Sequence, residues 1–343
     1  MSVAFGNRVT TTTQDKILPK VVDTILNGNV FATRMLEKAE TWGAGEKLKV
    51  PVKFEKNTTG TSFAGFDTLS TSATNNRVNM EFQPSFYSMT VALPLTELSV
   101  NSGEEKVIDL AKLEMASTAQ DMADDIGTLF YGDGTGNGGK DPLGLAAIVD
   151  DGTAVATFGG LSRSTYPTLA ATKTASSGSI TLAKLRTLHN AVKSGNIKPT
   201  VAITTETVFS LFESLLQAQE RYSGGVSDVR KGIISGTGAI ELYFRGVPVL
   251  SDEKCTAGSF FFLNEEYIKW MALPVAMTEP VKFKSQDIEG NDYSDVKGLG
   301  FSWSGWQKTE NAAAVVGRIY LGGELVCSNP KRQGTLTGIT SAA

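Results

Sequence analysis

Histidine and cysteine are scarce in this sequence. Its 343 residues include one histidine, His189, and two cysteines, Cys255 and Cys327. A single histidine argues against metal centres built from several histidines, and two cysteines alone cannot form a disulfide framework or a zinc site. His189 lies beside the apolar face of a predicted helix, so we expect it to pack rather than catalyse. We therefore expect no metal ion and no cofactor.

Long apolar runs are also missing. Residues 1–30 contain no apolar run of the kind a signal peptide requires, and no segment approaches the roughly 20 apolar residues of a transmembrane helix. We expect no membrane partner. The 32 Lys and Arg residues nearly balance the 36 Asp and Glu residues, giving a net charge of −4. This balance argues against a protein whose whole surface binds nucleic acid.

The hydrophobic share, 41%, is sufficient for a packed core. Hydrophobic periodicity predicts helices at 17–26, 182–193 and about 205–219. It predicts strands at 201–203, 241–250, 259–263, 267–273, 281–288, 300–307 and about 315–327, before a tail rich in Gly, Thr and Ser. Helices and strands mix without regular βαβ repetition, which indicates the α+β class.

Residues 46–94 show the two-residue period of β-strands. Apolar residues from Leu48 to Phe54 alternate with lysines, and a second alternating run changes phase across Pro84. We predict one long two-stranded arm with a polar tip at 57–79 and a bend at Pro84. Because a lone hairpin is only marginally stable in water, the arm should lie against another element or another subunit.

The strongest helix signal covers residues 103–131. Ser102 and Glu105 match a capping box at its start, and Gly132 follows its end. Its length would be about 44 Å at 1.5 Å per residue. The segment carries seven acidic and two basic residues, a net charge of −5.

The glycine-rich loop after this helix resembles two nucleotide-binding motifs. Gly134, Gly139 and Lys140 match a phosphate loop, but Asp141 stands where a Ser or Thr must hold magnesium. The glycines also match a dinucleotide fingerprint, which should follow a strand and not a helix. We interpret the loop as a structural turn and predict no catalytic, cofactor-binding or metal-binding residue. A nucleotide-dependent enzyme using residues 134–140 is the less favoured alternative.

The order of these elements resembles the major capsid proteins of tailed double-stranded-DNA phages. The motifs that carry the resemblance are the turn Tyr131–Gly136 after the long helix and the segments Arg245–Leu250 and Val316–Ile319. The resemblance implies an α+β fold in which the hairpin is the E-loop and the long helix is the spine of a peripheral domain. The implied divisions are an N-terminal arm (1–30), the start of the peripheral domain (31–45), the E-loop (46–94), the peripheral domain with the spine helix (95–135), the axial domain (136–274), further peripheral strands (275–310), and an axial return strand with the C-terminal tail (311–343).

The resemblance further implies a structural protein and not an enzyme. Such a chain assembles as hexamers and pentamers into an icosahedral virion shell, within the cytoplasm of a bacterial host, around DNA that it contacts without sequence specificity. Because the sequence begins almost directly with the arm, we expect a separate scaffolding protein, together with a portal and possible decoration proteins. The alternative is an encapsulin-like compartment, which shares the fold but encloses cargo enzymes.

A contact between subunits follows from the same resemblance, since the E-loop in that family crosses the spine helix of a neighbour. We hypothesise that a lysine face of the hairpin docks on the acidic helix; the alternative is that both are ordinary solvated faces. The candidate residues are Lys47, Lys49, Lys53, Lys56, Asp121, Asp124 and Asp125.

Overall fold

The computed structural model describes residues 29–43, 45–100, 110–217, 242–273, 279–280, 301–310 and 312–342. Four sequence predictions lie outside these residues: nearly all of the arm 1–30, the helix 17–26, the capping box at Ser102 and Glu105, and the strand 281–288. The described part mixes helices with two large sheets, as expected for the α+β class.

The helices of the described residues are α1 (Val30–Glu37), α2 (Leu95–Val100), α3 (Leu110–Leu129), the single turn α4 (Leu145–Ile148), α5 (Leu182–Val192) and α6 (Glu206–Gln217). The strands are β1 (Glu40–Thr41), β2 (Leu48–Lys53), β3 (Arg77–Phe82), β4 (Ser85–Pro94), β5 (Thr157–Phe158), β6 (Leu161–Ser162), β7 (Thr172–Ile180), β8 (Val201–Thr204), β9 (Leu242–Phe244), β10 (Val247–Ser251), β11 (Phe260–Leu263), β12 (Ile268–Ala272), β13 (Glu279–Pro280), β14 (Phe301–Trp303), β15 (Gln307–Lys308), β16 (Ala314–Cys327) and β17 (Gly334–Ala342). A helical turn at Gly136–Gly139 and short 3₁₀ turns complete the set.

The larger sheet is organised around β16, the 14-residue strand predicted at about 315–327. Its order is β1-β12-β16-β14-β13, and β4 and β15 also pair with β16. Gly323 allows close packing in this strand: it has a φ of 155°, and a Cβ atom there would collide with the indole of Trp270. The long strand predicted near the end of the sequence therefore corresponds to the strand with the most neighbours.

The second sheet has the order β7-β17-β11-β8-β10-β9, and its central strands β8 and β11 are buried at every position. On β11, Phe260 and Phe262 join the core that contains α5 and α6, whereas Phe261 and Leu263 join the other core. A strand covered on both faces is expected to be apolar at every position, which explains the continuous run of Phe260–Leu263.

His189 is buried in the smaller core, as predicted for a packing residue. Its ring makes edge-on contacts with Phe244 and Phe262, at centroid distances of 6.2 and 5.7 Å. Cys255 and Cys327 are free and buried, so both thiols pack as small apolar groups.

The two-stranded arm is shorter than predicted. Strands β2 and β3 pair from Leu48–Phe82 to Lys53–Arg77, but β4 leaves the arm after Pro84. The whole of β4 then pairs with β16 in the large sheet. The change of apolar phase at Pro84 thus marks a passage from one sheet to another and not a bend within one hairpin.

Two further segments differ from the sequence predictions. The predicted strand 241–250 is a hairpin, β9 and β10, with a tight turn at Arg245 and Gly246. The predicted polar tail contains β17, which pairs with β7 and β11. Both segments gain their structure from pairing with distant strands, which local polarity does not reveal.

Buried carboxylates connect segments that are far apart in the sequence. Asp252 accepts hydrogen bonds from the Phe31 N–H (2.9 Å) and the Tyr131 hydroxyl (3.0 Å). Glu265 forms a two-pronged contact with Arg34, at 2.6 and 2.9 Å. These bonds fix α1 against the turn after α3 and against the second sheet.

Candidate assembly surfaces

The base of the hairpin is anchored in the larger core. On its inner face Met80 and Phe82 are buried, and the Phe82 ring packs against Phe158 at 5.4 Å. The Glu81 N–H donates to the Gly159 carbonyl at 2.9 Å. Gly159 has a φ of 56°, and a Cβ atom there would collide with Met80. The root of the arm is therefore fixed, while its outer half extends away.

The tip of the arm exposes large apolar side chains. Phe66 is fully exposed, and Phe63 and Leu69 are 66% and 48% exposed. The Asn57 side chain accepts hydrogen bonds from Thr59 and, across the tip, from the Thr74 hydroxyl at 3.2 Å. Three large apolar side chains within seven residues form an apolar patch of the kind that marks a contact surface. The sequence signal was present, because two phenylalanines stand in an otherwise polar run.

The four candidate lysines of the hairpin divide into two groups. Lys47 and Lys49 both reach Glu81 on the neighbouring strand, at 3.1 and 3.5 Å. The hydrogen bond from Lys47, its charge and that of Lys49 lower the pKa of Glu81. This shared carboxylate neutralises one of the two charges, so the docking face is less basic here than the sequence indicated.

The outer half of the hairpin is more basic. Lys53 lies directly opposite Arg77, and Lys56 is exposed just beyond. Like charges at directly opposed positions destabilise a strand pair. Among the ion pairs of the described residues, none involves Lys53, Lys56 or Arg77. An acidic partner would therefore be most favourable at this end.

The three aspartates of α3 occupy different environments. Asp121 is exposed, whereas the Asp124 carboxylate binds the Lys254 ammonium at 2.8 Å. Asp125 accepts a hydrogen bond from the Tyr87 hydroxyl at 2.7 Å. Burial and this bond raise the pKa of Tyr87 to about 12. Asp124 and Asp125 thus anchor α3 to its own chain, which leaves Asp121 as the aspartate best placed for another subunit.

The lysines and aspartates are not joined within one chain. No ion pair of the described residues links the hairpin lysines to α3. Docking of the hairpin on a neighbour's helix therefore stays a prediction about two subunits, centred on Lys53, Lys56 and Asp121.

The glycine-rich loop after α3 is folded on itself. Asp133 accepts hydrogen bonds from the Thr135 N–H and hydroxyl, which lower the pKa of its carboxyl. Asp141 accepts a bond from the Asn137 amide at 2.7 Å, and Asn137 has a φ of 51°. The loop follows a helix and uses its own carboxylates to close its turns, as a structural connection would.

The described residues contain neither a metal-binding cluster nor a membrane-spanning helix. In these ranges there is no group of three or more His, Cys, Asp or Glu residues that could hold a metal ion. Likewise, no helix within the described part of the chain is long and apolar enough to cross a membrane.

Replacing Lys140 with alanine tests the interpretation of the loop. Lys140 is exposed, so we expect assembly to remain unchanged and the free energy of unfolding to change by less than about 0.5 kcal/mol, as for ordinary surface positions. Nucleotide binding measured by calorimetry should be the same before and after the change. A wild-type protein that binds nucleotide and loses it in Lys140→Ala would overturn the structural interpretation.

Comparisons with known proteins identify the fold. No family model matches the chain, and no curated protein matches its sequence. Among solved structures, the cyanophage A-1(L) capsid asymmetric unit matches with a TM-score of 0.67 and 14% identity, covering 90% of this chain and 92% of that one. The holo-SrpI encapsulin complex from Synechococcus elongatus PCC 7942 matches at 0.59 and 13%, covering 98% and 96%. The capsid of a native GTA particle matches at 0.59 and 12%, covering 96% and 94%.

These similarities extend over nearly the whole chain at low sequence identity. They show that the chain has the α+β fold of tailed-phage major capsid proteins, which encapsulins share. The fold expected from the sequence resemblance is therefore confirmed.

Proposed function

We propose that this chain is a structural shell protein, not an enzyme, that assembles into an icosahedral capsid around the double-stranded DNA of a tailed phage. The observation that carries the proposal is the match to the cyanophage capsid over 90% of the chain at a TM-score of 0.67. Hexamers and pentamers are the closed rings from which such a shell is built, and each repeats the same contact between neighbours.

The hairpin supports assembly on independent physical grounds. Its tip exposes Phe63, Phe66 and Leu69 to water, and within the described residues no third strand pairs with β2 or β3. A two-stranded ribbon of this kind is marginally stable alone, and burying apolar surface contributes roughly 25 cal/mol per Å². A neighbouring subunit that covers the tip supplies both the burial and the support.

The remaining partners belong to the same proposal. It includes a separate scaffolding protein and a portal, with assembly in the host cytoplasm, and leaves open whether a decoration protein binds. The DNA inside the virion is contained without sequence-specific contacts. The division into an E-loop, a peripheral domain and an axial domain likewise remains a prediction from the resemblance.

The direct test is to express the chain alone and with a candidate scaffolding protein. We expect light scattering and negative-stain microscopy to detect capsomers or closed shells. The matched variant Phe63→Ser with Phe66→Ser should keep the wild-type unfolding midpoint, because both rings are exposed, yet lose most of the particles. A concentration-independent monomer in every buffer and with every scaffold would contradict the proposal.

The contents of purified particles distinguish the phage capsid from the encapsulin alternative. The similarity to the SrpI encapsulin supports this alternative. Particles from an infected or induced host should hold nuclease-protected DNA if the proposal is right. Particles that hold a folded enzyme and no DNA would favour the compartment instead.

Charge reversal tests the contact between subunits. Lys53→Glu with Lys56→Glu should slow assembly several-fold at low salt, because neither lysine forms an ion pair within the described residues. One exposed pair contributes only about 0–1 kcal/mol, but every subunit repeats it. The Debye length falls from about 30 Å at 0.01 M salt to about 3 Å at 1 M, so the defect should fade as salt rises. Light scattering at several salt concentrations measures it.

The control and the rescue use exposed residues of this chain. Lys331→Glu reverses one exposed charge outside the hairpin, so it changes the net charge as much as either hairpin substitution does. This variant should assemble normally. Adding Asp121→Lys to the double variant should restore part of the rate. Asp124 is left unchanged, because its reversal would break the bridge to Lys254. Normal assembly of the double variant at low salt would refute the docking hypothesis.

A further inference from the structure

An open cavity of about 470 Å³ lies at the end of α5, and its lining is strongly basic. The lining residues are His189, Asn190, Lys193, Asn196, Lys198 and Arg245. Three of the six carry a permanent positive charge and none carries a carboxylate. The whole chain has a net charge of −4, so the positive charge of this cavity is opposite in sign to the net charge of the molecule.

Two separate parts of the sequence supply the cations. Lys193 follows the last turn of α5, and Lys198 comes from the loop that leads to β8. Arg245 occupies the tight turn between β9 and β10, and its Nη1 donates to the Asn190 Oδ1 at 2.6 Å. The Lys198 Nζ lies above the same turn, 3.8 Å from where a Cβ atom of Gly246 would be. The fold therefore gathers charges that are distant in sequence around one cavity.

The partial negative charge at the carbonyl end of α5 explains only part of this cluster of cations. Cations are favourable near the carbonyl end of a helix, and Arg332 already donates to the Val192 carbonyl at 3.3 Å. Arg245 instead reaches an amide side chain, and its φ of 54° is a left-handed conformation that costs a non-glycine residue about 1–2 kcal/mol. Asparagine would fit this turn position better. The guanidinium is thus held here at a cost in backbone energy.

The floor of the cavity has unsatisfied hydrogen-bonding capacity. His189 is 4% exposed, and neither ring nitrogen has a hydrogen-bond partner within the described structure. Buried polar groups are normally paired, because an unpaired one loses its water without compensation. Burial, and then the charge of Arg245, lower the pKa of His189 against an opposing effect of the Asn190 side chain, and Lys193 and Lys198 lower it by smaller amounts. An anion in the cavity would offset this repulsion.

We propose that this cavity binds a phosphate group, held by Arg245, Lys193 and Lys198 above the ring of His189. The planar guanidinium matches two phosphate oxygens at once, and the ammonium groups supply point charges. The ligand is a phosphate-bearing anion: free phosphate, or a phosphate of a nucleic acid strand. This inference does not depend on the proposed capsid function.

The single histidine makes a direct test possible. Because the chain contains one histidine, isotope labelling of that residue gives one ring signal by nuclear magnetic resonance, and that signal reports on the cavity floor. The unassembled full-length chain is titrated with inorganic phosphate, with a short single-stranded DNA, and with sodium chloride at matched ionic strength. We expect the signal to shift with a phosphate-bearing probe and not with chloride.

The variant Arg245→Asn separates binding from folding. Asparagine tolerates the left-handed turn, so the thermal midpoint should stay equal or rise. Affinity for the phosphate-bearing probe should fall by roughly tenfold or more, which is about 1.4 kcal/mol. Lys308→Gln, which removes an exposed charge on β15 of the larger sheet, should bind as the wild type does.

Each outcome decides for or against the site. A shift with inorganic phosphate alone identifies a free anion as the ligand, and a tighter response to DNA that Arg245→Asn weakens identifies the nucleic acid backbone. No shift with either probe at concentrations up to about 10 mM, or equal affinity in Arg245→Asn and wild type, overturns the proposal.

Discussion

Replacing Asp150 with alanine should lower the free energy of unfolding by about 3–5 kcal/mol, the range for a buried ion pair that loses one partner. Asp150 is fully buried, and its carboxylate lies 2.7 Å from the Lys173 ammonium and 3.5 Å from Arg163. It also accepts hydrogen bonds from the backbone N–H groups of Gly152, Ala154 and Val155. One substitution therefore removes five interactions at once.

The buried guanidinium makes this loss large. Arg163 is 2% exposed, packs over the Phe158 ring at 5.2 Å, and donates to the Asp150 and Ala147 carbonyls. Without the Asp150 carboxylate its charge would stay buried with only neutral partners. Burial alone would raise the pKa of Asp150, but bonds from Lys173, Val155 and Gly152 outweigh it and lower the pKa to about 2. The stabilisation is therefore complete above the unfolded pKa of about 3.9 and disappears as the pH falls through 2.

Denaturant unfolding of the unassembled chain at neutral pH measures the effect. Asp151 offers a matched control, because it is the next residue and is exposed. Within the described residues its carboxylate accepts hydrogen bonds only from the Thr153 N–H and hydroxyl in the same turn. Asp151→Ala should cost at most about 1 kcal/mol. Equal losses for the two alanine variants would show that the network around Asp150 is not a main source of stability.

Replacing Glu324 with glutamine should abolish a large part of the alkaline sensitivity of the fold. Glu324 is 2% exposed on β16, and its carboxyl accepts a hydrogen bond from the Leu143 N–H at 2.5 Å and contacts the Ser85 hydroxyl at 2.7 Å. Burial raises the pKa of Glu324 to about 8, against the opposing effect of these two bonds. The folded chain thus holds a proton that the unfolded chain releases at a lower pH.

The direction follows from proton linkage. For a carboxyl whose folded pKa is raised, the contribution to stability is complete below the unfolded pKa of about 4.3 and is lost as the pH rises through the folded value. Between about pH 5 and about pH 9 the wild type should lose roughly 2–4 kcal/mol from this group. Glu324→Gln mimics the protonated form and should lose much less.

Thermal unfolding across this pH range tests the prediction. Burial also raises the pKa of Asp252, so a residual slope in the same direction should remain in the variant. Glu266→Gln, at an exposed position, is the control and should keep the wild-type slope. Parallel pH profiles for wild type and Glu324→Gln would contradict the prediction.

Regular apolar patterns predicted most of the secondary structure. The alternation from Leu48 onward corresponds to β2, and the long strand predicted at about 315–327 corresponds to β16. The strands β7 and β17 escaped prediction because their sequences are rich in Ser, Thr and Gly. They pair in parallel with each other although nearly half of the chain separates them, and sequence-local signals do not encode such a partnership.

The assembly surfaces were less predictable than the fold, because several of the candidate lysines and aspartates bind other residues of the same chain. Glu81 stands opposite Lys49 in the hairpin, a pairing that depends on register. Asp124 meets Lys254 and Asp125 meets Tyr87 only after α3 packs against distant segments. The cavity at His189 was missed because its cations come from two regions that become neighbours only in the folded chain.

The route of the chain from β3 into β4 has a mechanical consequence. Only Gln83 and Pro84 separate the arm from β4, which is bonded to β16 through ten register pairs. In antiparallel strands the hydrogen bonds run perpendicular to the strand axis. A pull along the arm therefore loads all ten pairs together in shear, and does not open them one after another from an end. In the proposed shell, tension that passes from the arm into β4 would be shared by the ten residue pairs that join β4 to β16. The root of the arm would therefore resist larger forces than its tip.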